Sequence, residues 1–131
     1  MRYMMIVKAN PKYEAGAPPE AELVAAIGKH SQKLIDAGIL LQAGGLLPSS
    51  QGTRIGVTRG KLSVTDGPFT EAKELVGGFA IMELPSREEA IRLGKEFMQI
   101  HVDVLGPEYT GTLEIRPMFD PKNADCAPGT R

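Results

Sequence analysis

The stretch Asp66-Gly67-Pro68-Phe69-Thr70-Glu71-Ala72-Lys73-Glu74 lies between two strand-like segments and separates the chain into two similar halves. Asp-Gly-Pro before an aromatic residue predicts a tight turn, because proline fixes its own φ and glycine tolerates conformations that other residues avoid. Thr70 can then cap a short helix that opens with Glu71. We expect Asp66 to accept backbone N–H bonds from the turn that it begins.

Upstream of this turn, hydrophobic periodicity predicts a strand, a helix, a second strand and a hairpin. A loop rich in glycine and proline precedes the helix, and Gly38 is expected to end the helix in a left-handed conformation. The predicted elements, in order, are a strand from Tyr3 to Lys8, a loop from Ala9 to Pro19, a helix from about Pro19 to Ala37, a strand from Ile39 to Ala43 broken by Gly44-Gly45, and hairpin strands from Thr53 to Thr58 and from Lys61 to Thr65 joined by Arg59-Gly60.

Downstream of the turn the same order of strand, helix and strand recurs. Ser86-Arg87-Glu88-Glu89 is a capping box, which predicts the start of the second long helix. The predicted elements are a strand from Phe79 to Leu84, a helix from about Arg87 to His101 and a strand from Thr112 to Pro117. Without the hairpin, the order is β-α-β followed by β-α-β. That is the ferredoxin-like α+β pattern, in which four antiparallel strands carry two helices on one face.

A sheet with both helices on one face has a second face that no helix of its own chain covers. We expect that face to be apolar, and an apolar face of this size needs a cover. A second copy of the chain is the expected cover, which predicts a homodimer.

The stretch from Asp66 to Glu74 resembles the signature of the DGPF (DGPFAETKE) proteins, part of the YCII-related family of small bacterial proteins. Arg116, in Glu114-Ile115-Arg116-Pro117, also matches the closing strand of that family. The resemblance implies a ferredoxin-like domain over residues 1–119 that pairs sheet to sheet as a dimeric α/β barrel, followed by a loose tail over 120–131. It also implies a proposed His–Asp pair whose histidine lies on the first helix.

The two histidines are the first candidates for acid–base chemistry, and both fall on inward helix faces. His30 shares a stripe with Leu23 and Leu34, and His101 lies at the predicted end of the second helix. Each is either a core histidine hydrogen-bonded to a backbone carbonyl or a general acid or base that works near neutral pH. For His101, a C-terminal helix cap is a further structural alternative. In the catalytic interpretation, Asp66 is the carboxylate that orients the histidine. In relatives the aspartate of the pair is expected near the second helix, where this chain has Asp103.

Four charged residues are candidates for binding a ligand or for lining a barrel. Glu71 and Lys73 match the family signature; Lys73 could hold an anionic substrate group while Glu71 or Asp66 handles a proton. Glu114 and Arg116 share one sheet face, so they predict either a barrel-lining ion pair or an ordinary salt bridge at the sheet edge. The structural alternative is that Glu71 and Lys73 are simply solvated and that the turn packs Phe69 into a partner subunit.

Composition and charge exclude several classes of function. Of 131 residues, 24% are charged, the net charge is −1, and the basic residues are scattered, so nucleic acid is not an expected partner. No segment reads as a signal peptide or a membrane span, and the one cysteine, Cys126, is expected to be a free thiol in a cytoplasmic protein. No metal-ligand spacing or dinucleotide fingerprint occurs, so we expect neither a metal nor a cofactor.

Two functional classes remain open on the sequence. The first is a cofactor-independent isomerase or lyase that moves a proton on a small anionic or carbonyl-containing substrate, with His30 or His101 as acid or base. The second is a non-catalytic module that binds a small ligand or acts in regulation, because DGPF domains are sometimes found beside sigma factors. A histidine and a carboxylate in one pocket would favour the first class, and a pocket without such a pair would favour the second.

Overall fold

The computed structural model describes residues 1–71 and 74–121. Numbered along the chain, its strands and helices are β1 (Arg2–Lys8), α1 (Pro11–Glu14), α2 (Ala21–Asp36), β2 (Leu40–Gly45), β3 (Thr53–Thr58), β4 (Lys61–Asp66), β5 (Val76–Glu83), α3 (Arg87–Leu105) and β6 (Leu113–Pro117). A 3₁₀ turn at Ser49–Gln51 follows β2.

Four strands form one antiparallel sheet in the order β2-β5-β1-β6. The central strand pair, β1 and β5, joins the two β-α-β halves, so that neighbours in the sheet come from different halves of the chain. This is the strand order of a ferredoxin-like fold, and it confirms the predicted fold class. Strands β3 and β4 form a separate two-stranded sheet. In the sequence, this hairpin lies between β2 and β5, which pair with each other in the main sheet.

Helices α2 and α3 cover one face of the sheet, and the core lies between these layers. Alternate residues of each strand point toward the helices, because successive side chains of a strand point to opposite faces. The buried residues of this core are Tyr3, Met5, Leu34, Leu40, Met82, Leu84, Ala90 and Leu93.

The ends of the long helices follow local sequence signals. At the end of α2, Gly38 has φ +74°, and the N–H groups of Gly38 and Ile39 donate to the carbonyls of Ile35 and Leu34. That pair of bonds is a Schellman motif, as the glycine predicted. At the start of α3, Ser86 Oγ accepts the N–H of Glu89 at 3.2 Å, which forms one half of the predicted capping box.

Several predicted boundaries were wrong for identifiable reasons. Helix α1 falls in the segment predicted to be a loop; Asn10 caps it and Pro11 opens it. Gly44-Gly45 does not break β2 but pairs with Phe79 and Gly78 inside the sheet, where a Cβ on Gly78 would lie 3.0 Å from the Gly44 carbonyl oxygen. Helix α3 continues past His101, because the next helix breaker is Gly106, at φ +97°.

Among residues 1–71 and 74–121, neither long helix packs on the second face of the four-stranded sheet. At its centre lie Met4 and Ile6 of β1 and Phe79 and Ile81 of β5, brought together by the antiparallel pairing of these strands. Charged residues of β6 border this apolar centre on one side. We call these four apolar residues and their surroundings the open face.

The hairpin Thr53–Asp66, which we call the arm, follows β2 along the chain and forms the separate two-stranded sheet. Arg59 and Gly60 both have positive φ, +53° and +80°, as a two-residue hairpin turn of the predicted type requires. Ile55 pairs with Val64 and Val57 pairs with Leu62, so these four apolar side chains share one face of the arm.

Candidate functional site

The predicted turn is held by a segment that is close in space and distant in sequence. The N–H of Phe69 donates to Ser49 Oγ at 3.0 Å, and the N–H of Gly67 donates to the carbonyl of Gly52 at 2.9 Å. Ser49 is itself bound by Glu14 of α1, which accepts the Ser49 N–H at 2.9 Å and also the Ser49 hydroxyl. One serine therefore links α1 to the turn.

Glycine is required in this turn because the backbone of the 3₁₀ turn lies against it. A Cβ built on Gly67 would lie 1.7 Å from the carbonyl oxygen of Ser49 and 2.6 Å from its carbonyl carbon. Real Cβ atoms do not make contacts this short, so another side chain at this position would displace one of the two segments.

Arg54 of β3 lies over the turn from the other side. Its guanidinium carbon is 3.9 Å from the centre of the Phe69 ring, a cation–π geometry, and Nη1 donates to Glu71 Oε2 at 3.1 Å. Phe69 thus packs against its own chain. Arg54 therefore connects the base of the arm to Phe69 and Glu71.

These residues border a groove of about 560 Å³. Its apolar lining comes from the end of β2, the turn and the start of β5, and its charged lining comes from Glu14, Arg54 and Glu74. The full lining is Glu14, Gly45, Leu46, Leu47, Pro48, Ser49, Gln51, Gly52, Arg54, Phe69, Glu74, Leu75 and Val76.

Hydrogen bonds keep two carboxylates of this region ionised. The bonds from the Ser49 hydroxyl and then from its backbone N–H lower the pKa of Glu14 from the usual glutamate value. The pKa of Glu71 is lowered first by its own backbone N–H and then by the hydrogen bond and charge of Arg54. Both groups therefore stay anionic to a lower pH than an ordinary glutamate does.

The two histidines occupy different parts of the fold, away from the lining of this groove. His101 is buried; its Nδ1–H donates to the carbonyl of Phe97 at 2.9 Å, and its ring stacks on Tyr109 with centroids 5.1 Å apart. His101 therefore has the geometry predicted for a core histidine that is hydrogen-bonded to a backbone carbonyl. In α2, His30 Nε2 is buried and has no hydrogen-bond partner within the described parts of the chain.

The structure does not pair either histidine with the predicted carboxylates. Asp66 accepts the Thr53 hydroxyl at 3.2 Å across the arm, and Asp103 accepts the side-chain amide of Gln99 at 2.9 Å. The prediction that Asp66 binds the turn backbone was wrong: Ser49 and Gly52 provide those partners, because the turn folds against them. Asp66 instead ends the β3–β4 ladder, with its side chain on the side that carries Thr53.

Among the described residues, the remaining candidates lie at separate places. Arg116 Nη1 donates to Glu114 Oε2 at 3.0 Å, and Lys8 Nζ lies 3.2 Å from Glu114 Oε1. Because β6 is an edge strand, this trio lies at the border of the open face. Lys73 lies outside the described residues, as do Cys126 and part of the predicted short helix after Thr70.

Sequence reasoning missed three residues that build the groove: Glu14, Ser49 and Arg54. A local signal existed for the first, because Asn10-Pro11 is an N-cap followed by a proline in the first helical position. The pairing of Glu14 with Ser49 spans 35 positions and has no local signal. For Arg54, the sequence predicts only a position in the hairpin strand from Thr53 to Thr58.

Neither a metal-ligand cluster nor a membrane-spanning helix occurs among the described residues. Over 1–71 and 74–121, no three histidine, cysteine or acidic side chains are placed to hold a metal ion. In the same residues, no helix combines the length and the apolar character needed to cross a bilayer.

Comparison with known proteins connects this site with a family. An uncharacterized protein of Rhizobium meliloti (strain 1021) is 29% identical over 87 residues, which cover 66% of this chain and 65% of that protein. The sequence model of the YCII-related domain matches residues 1–99, from β1 into α3, and so includes α1, the arm, the turn and the groove. The chain therefore belongs to the YCII-related family.

Proposed function

We propose that this protein is a module that binds a small ligand in the groove beside the turn. The observation that carries the proposal is the lining of that groove: apolar side chains from three segments surround a few fixed polar groups, and the lining contains no histidine. Small-molecule sites have this composition, with an apolar surface for the ligand body and a few oriented polar groups.

The polar groups indicate what such a ligand would contact. Glu14 is held by Ser49, and Arg54 is held by Phe69 and Glu71, so these side chains are in place before a ligand arrives. A pre-organised site loses less side-chain entropy on binding. Leu47 is 73% exposed beside them and offers an apolar contact without rearrangement.

Ligand screening by two-dimensional amide NMR tests the proposal directly. A library of small lactones, keto acids and apolar amines should shift the amides of Ser49, Gly52 and Phe69. Val76→Trp places a large ring in the groove and should abolish those shifts. Val24→Trp is the matched control, because Val24 is also an exposed valine and lies on α2 outside the groove lining. Binding that survives Val76→Trp would contradict the proposal.

Proton transfer is the second candidate, and a single observation favours it. His30 Nε2 is buried without a partner, and a buried imidazole nitrogen is costly to leave unpaired. A substrate group would supply the missing partner, and His30 would act as acid or base in an isomerase or lyase reaction. His30→Leu separates the two candidates: a proton-transfer enzyme would lose turnover of lactones or keto acids, whereas a binding module would keep its ligand and its stability.

The open face supports a homodimer. Met4, Ile6, Phe79 and Ile81 form its apolar centre, and a second copy turned about a two-fold axis would cover all four. Ile6→Lys would place a charge at that centre. We expect it to reduce the mass measured by light scattering to that of one chain, and an unchanged mass would count against pairing through this face.

A further inference from the structure

One face of the arm is apolar and almost fully exposed. Ile55, Val57, Leu62 and Val64 are 70%, 68%, 74% and 68% exposed. The cross-strand pairs Ile55–Val64 and Val57–Leu62 place all four on the same side. Such a continuous set is unlike the scattered apolar residues of an ordinary surface, and it is typical of an interaction site.

The arm gains little support from its opposite face. That face carries Arg54, Gly56, Thr58, Lys61, Ser63 and Thr65. Arg54, at its base, contacts the turn, and within the described residues no other side chain of this face makes a side-chain hydrogen bond or an ion pair. A two-stranded hairpin is marginal in water unless its hydrophobic face packs on something. A cover on the apolar face would therefore stabilise the arm as well as hide the four side chains.

Charges at the two ends of this face indicate the cover. At the tip, Arg59 is exposed, and within the described residues it makes no ion pair. At the base, on the apolar side, lies the exposed carboxylate of Asp66. A surface that is positive at one end, apolar in the middle and negative at the other is complementary to a copy of itself turned end for end.

We propose that two copies of the chain pack arm against arm, antiparallel, through Ile55, Val57, Leu62 and Val64. The two-fold axis passes between the Ile55–Val64 and Val57–Leu62 pairs, so that each tip lies beside the Asp66 of the other copy. This contact differs from the proposed pairing through the open face, and none of its four apolar residues lines the ligand groove.

The size of the surface sets the strength of the contact. Four such side chains, mostly exposed, offer on the order of 300 Å² of apolar surface per copy. That is less than the roughly 800 Å² per partner of a standard stable interface. We therefore expect association through the arms to be reversible and to depend on protein concentration.

Sedimentation or light scattering across a concentration series tests the proposal. Ile55→Thr combined with Val64→Thr keeps two β-branched residues in the strands but removes apolar surface. We expect this double variant to lose one association step, so that its mass at high concentration is half that of the wild type. Ser63→Thr with Thr65→Ser is the control on the opposite face and should keep the wild-type mass. Circular dichroism checks that each variant is folded.

Exchange of the end charges tests the antiparallel arrangement. Arg59→Asp removes the cation from the tip, at a position with positive φ that aspartate tolerates better than most residues, and it should weaken association at least tenfold. Adding Asp66→Arg should restore much of it, because the two ends then attract again. A wild type that gains no mass with concentration, a double threonine variant that associates as the wild type does, or a charge exchange without recovery would each overturn the proposal.

Discussion

Replacing Gly67 by alanine should be among the most damaging small changes in this protein. The added Cβ would lie 1.7 Å from the carbonyl oxygen of Ser49 and 3.4 Å from the backbone nitrogen of Ser50. Both atoms belong to the backbone of the 3₁₀ turn and cannot rotate away as the end of a side chain can. The turn or its neighbour must therefore move.

The magnitude follows from what that movement disrupts. Inserting a methyl group into a packed contact usually costs about 1–3 kcal/mol, and a rigid neighbour favours the upper end. Moving the segments apart also weakens the hydrogen bonds from Gly67 to Gly52 and from Phe69 to Ser49, each worth about 1 kcal/mol. We expect the free energy of unfolding to fall by about 3 kcal/mol, which in a chain of this length lowers Tm by about 10 °C.

Urea denaturation monitored by circular dichroism gives this free energy, and Gly28→Ala is the matched control. Gly28 lies exposed within α2, and a Cβ there would have no heavy atom within 4 Å. The same substitution should stabilise the protein by about 0.5–1 kcal/mol at that site, because alanine favours a helix. The reasoning is refuted if Gly67→Ala unfolds within about 0.5 kcal/mol of the wild type.

Three further substitutions test the helix cap, the core and the carboxylate of the site. Ser86→Ala removes the acceptor of the Glu89 N–H at the start of α3 and should lower the free energy of unfolding by about 1 kcal/mol in urea titration. Leu93→Ala opens a cavity at a side chain that is 2% exposed, and calorimetry should show a loss of about 2–4 kcal/mol. Glu14 has a lowered pKa in the folded state, so its ionised form stabilises the fold above the usual glutamate pKa, and this contribution disappears as pH falls through the folded value. The wild type should therefore be more stable than Glu14→Gln at neutral pH, and the difference should vanish in acid; a difference that grows on acidification would contradict the bond to Ser49.

The ferredoxin-like fold could be predicted because its signals are local. The inward stripe of α2, the glycine after it and the serine before α3 are each read within a few residues, and each has a direct physical cause. Alternation along β1 and β6 likewise depends only on strand geometry. With elements of known order, the strand topology has few alternatives.

The site could not be predicted in the same way because its contacts join distant segments. Glu14, Ser49 and Phe69 come from three loops or short helices that are far apart in the sequence and meet in the folded chain. Asp66 illustrates the error that results: its own sequence neighbourhood predicts a bond to the next turn, but Ser49 and Gly52 take that role. For His101, the local signal of an inward helix position did not distinguish a core residue from a catalytic one.

Arg54 gives a physical reason to expect that assembly and ligand binding are coupled. It belongs to the arm, yet its guanidinium lies over Phe69 and pairs with Glu71 beside the groove. If two arms pack together, the position of β3 becomes restricted, and with it the position of Arg54 above the turn. A ligand that contacts Arg54 would then bind better to paired arms, and by thermodynamic reciprocity it would strengthen their pairing by the same factor.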